Sequence, residues 1–164
     1  MKRAPLLASA LTIVLCSARA VAAQEAVYVV RHAERADQSA DSPLSKDGAR
    51  RARRLGEMLR NAGITHVFTT DLRRTIDTAA PLAATADLSA QQVPAADTQA
   101  LVAKVSALGP HDRALVVGHS NTVPDLLRML HAGAAVTIPD GEYDNLFIVV
   151  AHPNAAPTLL RLRY

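Results

Sequence analysis

The sequence lacks the features that mark several classes of protein. Its 164 residues include one cysteine, Cys16, so it has no disulfide framework. No apolar run reaches the roughly 20 residues that a membrane-spanning helix needs. The chain also has no internal repeat, low-complexity segment or linker that would divide it. These absences favour one ordinary domain with a single core.

The first 23 residues have the composition of an export signal. Lys2 and Arg3 give a positive start, and the uncharged apolar run APLLASALTIVLC follows. The next residues, SARAVAA, are mostly small, as a cleavage site requires. We therefore predict a signal peptide at residues 1–23. The domain at residues 24–164 is then expected to be exported to the periplasm or secreted, without stable insertion into the membrane.

Removal of this leader would change the charge and the thiol content of the protein. Residues 1–23 carry three of the 18 basic residues and none of the 15 acidic ones. The remaining domain is therefore balanced, and nothing in its charge predicts nucleic acid binding. Cys16 would leave with the leader, so no thiol chemistry is expected of the domain. A lipoprotein anchored through Cys16 is an alternative, which Leu15 disfavours because it stands where a small residue is wanted.

Strand-like and helix-like patterns alternate along the rest of the chain. Short apolar runs predict strands, and apolar residues at helical spacing predict helices. Ser45 is expected to cap the first helix, and Asp71 or Thr70 the second. The alternation predicts an α/β three-layer sandwich in one domain, with a mainly parallel sheet and helices on both faces. The predicted strands are 26–30, 64–70, 90–94, 113–120, 145–152 and 157–164, and the predicted helices are 46–62, 71–86, 97–109 and 122–133.

Cationic residues and histidines follow three of the predicted strands. Arg31 and His32 follow the first strand and Arg74 follows the second, while His119 lies at the end of the fourth. Ligands of such sheets bind beyond the carboxyl ends of the strands, so we expect these four side chains to meet at one edge.

These residue types suit an anion pocket and phosphoryl transfer. Arginine binds phosphate through several hydrogen bonds and keeps its charge. A histidine among arginines has a lowered pKa, so it is neutral near pH 7 and can attack phosphorus. A second histidine can stabilise the charge of the transition state. The set predicts phosphoryl transfer on a small phosphorylated substrate, without a metal or other cofactor.

Four segments together resemble the histidine phosphatase superfamily, which has the phosphoglycerate-mutase-like fold. They are VVRHAERAD, DSPLSKDGARRARRLGEML, VFTTDLRRTIDTAAPLA and ALVVGHSNTVPDLLRML, in the order that the family has them. The resemblance implies that His32 is the nucleophile, which becomes phosphohistidine, and that His119 is the second pocket histidine. It also implies that Arg31 and Arg74 bind the phosphate, and Arg35 is a further candidate for this role.

The sequence departs from the family pattern at two points. Ala33 replaces the glycine of the family's Arg-His-Gly motif, so we expect an ordinary, negative φ there. No motif supplies the carboxylic acid that protonates the leaving group in many members, although Glu142, Asp144, Asp37 and Glu34 are candidates. The compact chain without this acid resembles the small SixA-like phosphohistidine phosphatases, whose leaving group is an imidazole.

Two other functions are compatible with parts of the sequence. The segment GHSNT resembles the nucleophile elbow of serine esterases, with Ser120 as nucleophile and Asp140 or Asp144 and His152 as partners. Thr122 stands where that elbow needs glycine. The second alternative is a module of the same fold that binds phosphate or phosphoesters without turnover, because the acid is missing.

Overall fold

The structure is a computed structural model that describes residues 25–132 and 135–164. The predicted signal peptide and Cys16 lie outside these residues. The described part contains six strands and four helices in the order β1 (Ala26–Arg31), α1 (Lys46–Leu59), β2 (His66–Thr70), α2 (Arg73–Thr85), β3 (Ala90–Val93), α3 (Thr98–Ser106), β4 (Arg113–Gly118), α4 (Thr122–Met129), β5 (Asn145–His152) and β6 (Ala155–Arg163).

The strands form one sheet in the order β3-β2-β4-β1-β5-β6. The first four are mutually parallel, whereas β5 pairs antiparallel with β1, and β6 antiparallel with β5. This arrangement confirms the mainly parallel sheet. The central strands β1 and β4 are covered on both faces, which explains why they appear in the sequence as continuous apolar runs.

The helices cover both faces of the sheet. Leu55 and Leu59 of α1 and Leu82 of α2 pack in one core layer. Leu101 of α3 and Leu126 of α4 pack in the other layer. The three-layer α/β sandwich is therefore confirmed. Within the described ranges, no helix has the length and apolar character to cross a membrane.

The helix starts were predicted correctly for α1 but not for α2. Ser45 caps α1, because its side chain accepts a hydrogen bond from Gly48 N. The prediction that Asp71 or Thr70 caps α2 was wrong: the N-cap residue is Leu72, whose side chain forms no capping bond. A carboxylate from a distant loop replaces it, since Asp41 Oδ1 accepts from Arg73 N at 2.7 Å. Several predicted elements also extend beyond the observed ones by a few residues, where the chain turns.

Close packing of Gly48 brings the start of α1 against the chain that follows β1. A side chain at this position would collide with the backbone carbonyl of Glu34. Ser45 N also donates to Glu34 O at 2.9 Å. These contacts fix the segment directly after His32.

Candidate active site

The ends of three parallel strands bring the predicted site residues together. Arg31 is in register with Gly118, and His32 N donates to Gly118 O at 2.9 Å. Strand β4 also pairs with β2. The chain after β2 enters α2, whose first turn contains Arg74. The predicted meeting of these segments at one edge of the sheet is therefore observed.

His32 is a buried, neutral imidazole whose tautomer is fixed. Its Nδ1 lies 2.7 Å from Ala33 O, and because a carbonyl only accepts, Nδ1 carries the proton. Nε2 therefore has a free lone pair. The pKa of His32 is lowered to about 3, chiefly by burial and in part by the charges of His119, Arg74 and Arg31, while the hydrogen bond to Ala33 O acts in the opposite direction. The ring is therefore uncharged at neutral pH, and an uncharged imidazole with a free lone pair can act as a nucleophile.

His119 lies beside His32 in an edge-to-face arrangement, with 5.3 Å between the ring centroids. Its Nε2 is 3.1 Å from the hydroxyl oxygen of Thr70, at the end of β2. Burial lowers the pKa of His119 to about 4, with further contributions from Arg74 and Arg31. Both histidines thus experience the charges of the same two arginines.

Arg31 is held by the backbone of residues 139–143, which we call the 139–143 segment. Its Nη1 donates to the carbonyl oxygens of Pro139, Asp140 and Glu142 at 2.9–3.2 Å. The Tyr143 ring stacks on the guanidinium, with 4.2 Å from Cζ to the ring centroid. Nη1 therefore holds the Arg31 guanidinium in place. The buried Nε of Arg31 has no partner among the described residues.

Arg74 shows the same pattern. Its Nη1 donates to Ala40 O at 2.8 Å, and its buried Nε lacks a partner in the described part of the chain. Burial, then the charge of Arg35, lowers the pKa of Arg74, so these two guanidinium groups are close. Buried donors without partners are uncommon. An oxyanion between Arg31 and Arg74 would satisfy both.

The four candidate acids bind other groups instead of the two histidines. Glu142 Oε2 accepts from Asn145 Nδ2 at 2.9 Å and is paired with Arg161 and Arg163. The remaining three bind elsewhere too: Asp144 pairs with Arg163, Asp37 accepts from Ser39, and Glu34 pairs with Arg51. In the described ranges, no carboxylate forms a hydrogen bond or ion pair with His32 or His119.

Sequence analysis missed several groups that shape the site. Thr78 Oγ1 accepts from Ala33 N at 2.9 Å and donates to Arg74 O at 2.6 Å, and these two bonds join the segment after His32 to α2. Its spacing of four from Arg74 was the available signal. Tyr143 lies 6.1 Å from the His32 ring, in a segment that the sequence marked only for its acids. The expected negative φ at Ala33 is confirmed, since Asp87 and His131 are the non-glycine residues with positive φ in the described part.

The serine esterase alternative is not supported by the geometry. His152 lies at the far end of β5, where its Nε2 bonds to Thr158 Oγ1 at 2.9 Å. Strand β5 starts at the edge where β1 ends, so His152 lies at the opposite edge from Ser120. The predicted Ser120–His152 pair is therefore not formed. The described residues also contain no group of three or more His, Cys, Asp or Glu side chains placed to hold a metal ion.

Comparisons with known proteins support a family relationship. The model described as "Histidine phosphatase superfamily (branch 1)" matches residues 27–97. Among curated proteins, a probable phosphoglycerate mutase, GpmB, of Proteus mirabilis (strain HI4320) is 43% identical over 60 residues. That match covers 32% of this chain and 28% of the relative, so it spans less than a third of either.

Solved structures show the same fold at low identity. A putative alpha-ribazole-5'-P phosphatase of Escherichia coli K-12 has a TM-score of 0.69 and 16% identity, over 86% of this chain and 97% of that one. The protein histidine phosphatase SixA, solved with tungstate, has a TM-score of 0.62 and 20% identity, over 84% and 96%. These proteins act on different substrates, so the fold alone does not define a substrate.

Proposed function

We propose that the chain is a member of the histidine phosphatase superfamily, whose model matches residues 27–97, and that it is a metal-independent phosphatase that works through a phosphohistidine on His32. The substrates are small phosphomonoesters or phosphoramidates. The observation that supports this most directly is a neutral His32 with a free Nε2, beside two arginines whose buried Nε atoms have no partner in the described part of the chain.

The reaction proceeds in two displacements at phosphorus. His32 Nε2 attacks in line, the bond from phosphorus to the leaving group breaks, and the leaving group departs with the electron pair. Water then attacks the phosphohistidine, which releases inorganic phosphate and restores the imidazole. Arg31 and Arg74 bind the phosphoryl oxygens, with Arg35 near Arg74, and His119 stabilises the charge that develops on them.

The leaving group is the point at which this site differs from a general phosphomonoesterase. No described carboxylate bonds to the pocket histidines, so the departing atom receives little assistance from an acid. We propose that the protein prefers leaving groups that depart without a strong acid, such as the nitrogen of a phosphoramidate or an aryl oxygen. Rates across a series of substituted phenyl phosphates should then rise steeply as the pKa of the leaving phenol falls. A flat series would contradict this preference.

The function is tested with p-nitrophenyl phosphate and purified protein. Hydrolysis should persist in EDTA and disappear in His32→Ala, and quenching in an alkaline denaturant during turnover should trap a phosphorylated histidine in the wild-type protein, because the phosphorus–nitrogen bond survives alkali but not acid. The control is Ser120→Ala, which a serine esterase mechanism would inactivate on ester substrates. Hydrolysis that persists in His32→Ala would contradict the proposed nucleophile.

A phosphate-binding module without turnover is the second candidate, because the pocket cations are assembled but no carboxylate of the described residues bonds to the two histidines. It predicts that inorganic phosphate binds, while no phosphoester or phosphoramidate in a broad panel is hydrolysed. Calorimetric binding together with the panel separates this candidate from the phosphatase.

We also propose that the domain acts outside the cytoplasm, after removal of residues 1–23. The support is the charge and small-residue pattern of the leader. Expression of the full chain in a bacterial host, followed by fractionation and N-terminal sequencing of the product, tests it. A full-length product that remains in the cytoplasm would overturn the proposal.

A further inference from the structure

The loop between β1 and α1 contains a contact that the proposed mechanism does not use. Residues 36–42, which we call the 36–42 loop, have a firmly bonded base. Arg35 and Leu44 form a β-bridge, and Ala36 N donates to Pro43 O at 2.9 Å. The loop also has an internal anchor, since the buried Ser42 accepts from Asp37 N at 3.1 Å. The base therefore has its own support, independent of the rest of the site.

The tip of this loop docks on the first turn of α2 through two adjacent residues. Asp41 Oδ1 accepts from Arg73 N at 2.7 Å, and Ala40 O accepts from Arg74 Nη1 at 2.8 Å. The first bond joins a carboxylate to a free amide at a helix N-terminus, where the helix dipole favours negative charge. The second bond is the only one that the Arg74 side chain forms within the described residues.

We propose that Asp41 is a positioning residue for Arg74. The two docking residues are neighbours, so the carboxylate that holds the loop on α2 also holds the Ala40 carbonyl on the guanidinium. This bond occupies Arg74 Nη1 and leaves the buried Nε, which has no partner among the described residues, available for a phosphoryl oxygen. The inference rests on the proposed role of Arg74 in phosphate binding, and it adds a residue that neither the family match nor the sequence analysis assigned.

Electrostatics support the same coupling. The Asp41 charge raises the pKa of Arg74, against the lowering by burial and by Arg35 and Arg31. Asp41 is therefore close enough to offset part of the repulsion among three guanidinium groups. Removal of the carboxylate would weaken the orientation of the Arg74 side chain and would increase the repulsion among the three guanidinium groups.

The experiment measures binding of inorganic phosphate by calorimetry, and kcat and KM for p-nitrophenyl phosphate. We expect Asp41→Ala to raise the phosphate Kd and KM about tenfold, the effect of one charge-assisted hydrogen bond. The change in kcat should be smaller. Asp41→Asn should have an intermediate effect, about threefold, because its amide oxygen can still accept from Arg73 N but the negative charge is lost.

A matched control separates positioning from loss of helix capping. Asp97 caps α3 in the same way, with Oδ1 accepting from Ala100 N at 2.8 Å. Asp97→Ala should lower stability by an amount similar to Asp41→Ala and leave the phosphate Kd unchanged. If Asp41→Ala does not fold, Asp41→Glu displaces the carboxylate by one methylene and should still raise Kd at least about threefold.

A double-mutant cycle tests whether Asp41 acts through Arg74. In an Arg74→Ala background, Asp41→Ala should add almost no further loss of kcat/KM. A wild-type Kd in Asp41→Ala, or an equal loss in both backgrounds, would overturn the inference. The phosphate Kd needs no turnover, so a protein that binds phosphate without hydrolysing substrate would contradict only the proposed function.

Discussion

At the scale of single residues, burial controls the chemistry of the site more than any one charge does. Burial is the largest contribution that lowers the pKa of both His32 and His119. A histidine in the unfolded chain binds a proton as the pH falls through its ordinary pKa, about 6.5. In the folded protein both rings are still neutral at that pH. The site therefore links protonation to folding.

This linkage predicts how stability depends on pH. Between about pH 6.5 and 5 the unfolded chain binds protons at these positions and the folded protein does not, so the free energy of unfolding falls as pH falls. Each histidine contributes at most about 1.4 kcal/mol per pH unit. His32→Gln should remove about half of that slope in urea unfolding curves. Parallel pH dependences for the variant and wild type would contradict the neutral folded state.

Two adjacent arginines offer a matched test of the phosphate site. Arg74 has a buried Nε without a partner in the described part of the chain, whereas the Arg73 side chain is exposed and forms no described hydrogen bond or ion pair. Arg74→Lys should lower kcat/KM on the order of a hundredfold, because lysine cannot replace a planar, multi-point contact. Arg73→Lys should stay within about twofold. Equal effects of the two substitutions would contradict the assignment.

At the scale of the elements, the sequence predicted which helices and strands exist better than it predicted where each one begins and ends. Strands β1 and β4 were recognisable because burial on both faces leaves an uninterrupted apolar run. The start of α2 was not recognisable from the sequence, because its cap comes from Asp41, more than thirty residues earlier in the chain. Local patterns cannot reveal a cap that only the folded structure brings into place.

The packing of α1 gives a prediction about one helical position. Glycine inside a helix usually costs about 1 kcal/mol relative to alanine, so Gly48→Ala on an exposed face would stabilise the protein. Here a Cβ would collide with the Glu34 carbonyl, so we expect a loss of about 1–3 kcal/mol in chemical unfolding. Gly141→Ala is the control, since a Cβ there would meet nothing within 4 Å. A stabilised Gly48→Ala protein would show that α1 does not press against this segment.

At the scale of the whole molecule, the direction of β5 explains which half of the site the sequence revealed. His32, Arg74 and His119 follow parallel strands, and a rule about strand ends was enough to group them. The 139–143 segment precedes an antiparallel strand, so it reaches the same edge from the other direction. The sequence predicted a mainly parallel sheet without identifying the reversed strand, and the groups that hold Arg31 were therefore missed.

A site assembled from distant segments should couple ligand binding to global stability. Phosphate would contact residues after β1 and β4 and in the first turn of α2, and it binds the folded state only. At a concentration of about 100 times Kd it should add about 2.7 kcal/mol to the free energy of unfolding. Thermal unfolding with increasing phosphate tests this, and Arg74→Lys should reduce the shift. No shift at saturating phosphate would contradict the assembled pocket.

The Nδ1 proton of His32 is held by the carbonyl of Ala33, and one nitrogen of Arg31 donates to three further carbonyls. Main-chain oxygens are present whatever side chain a codon specifies. No single missense change can delete these four acceptors, although one can displace them. Side chains in the loops around the pocket can therefore be exchanged while the main-chain acceptors that orient His32 and Arg31 are retained.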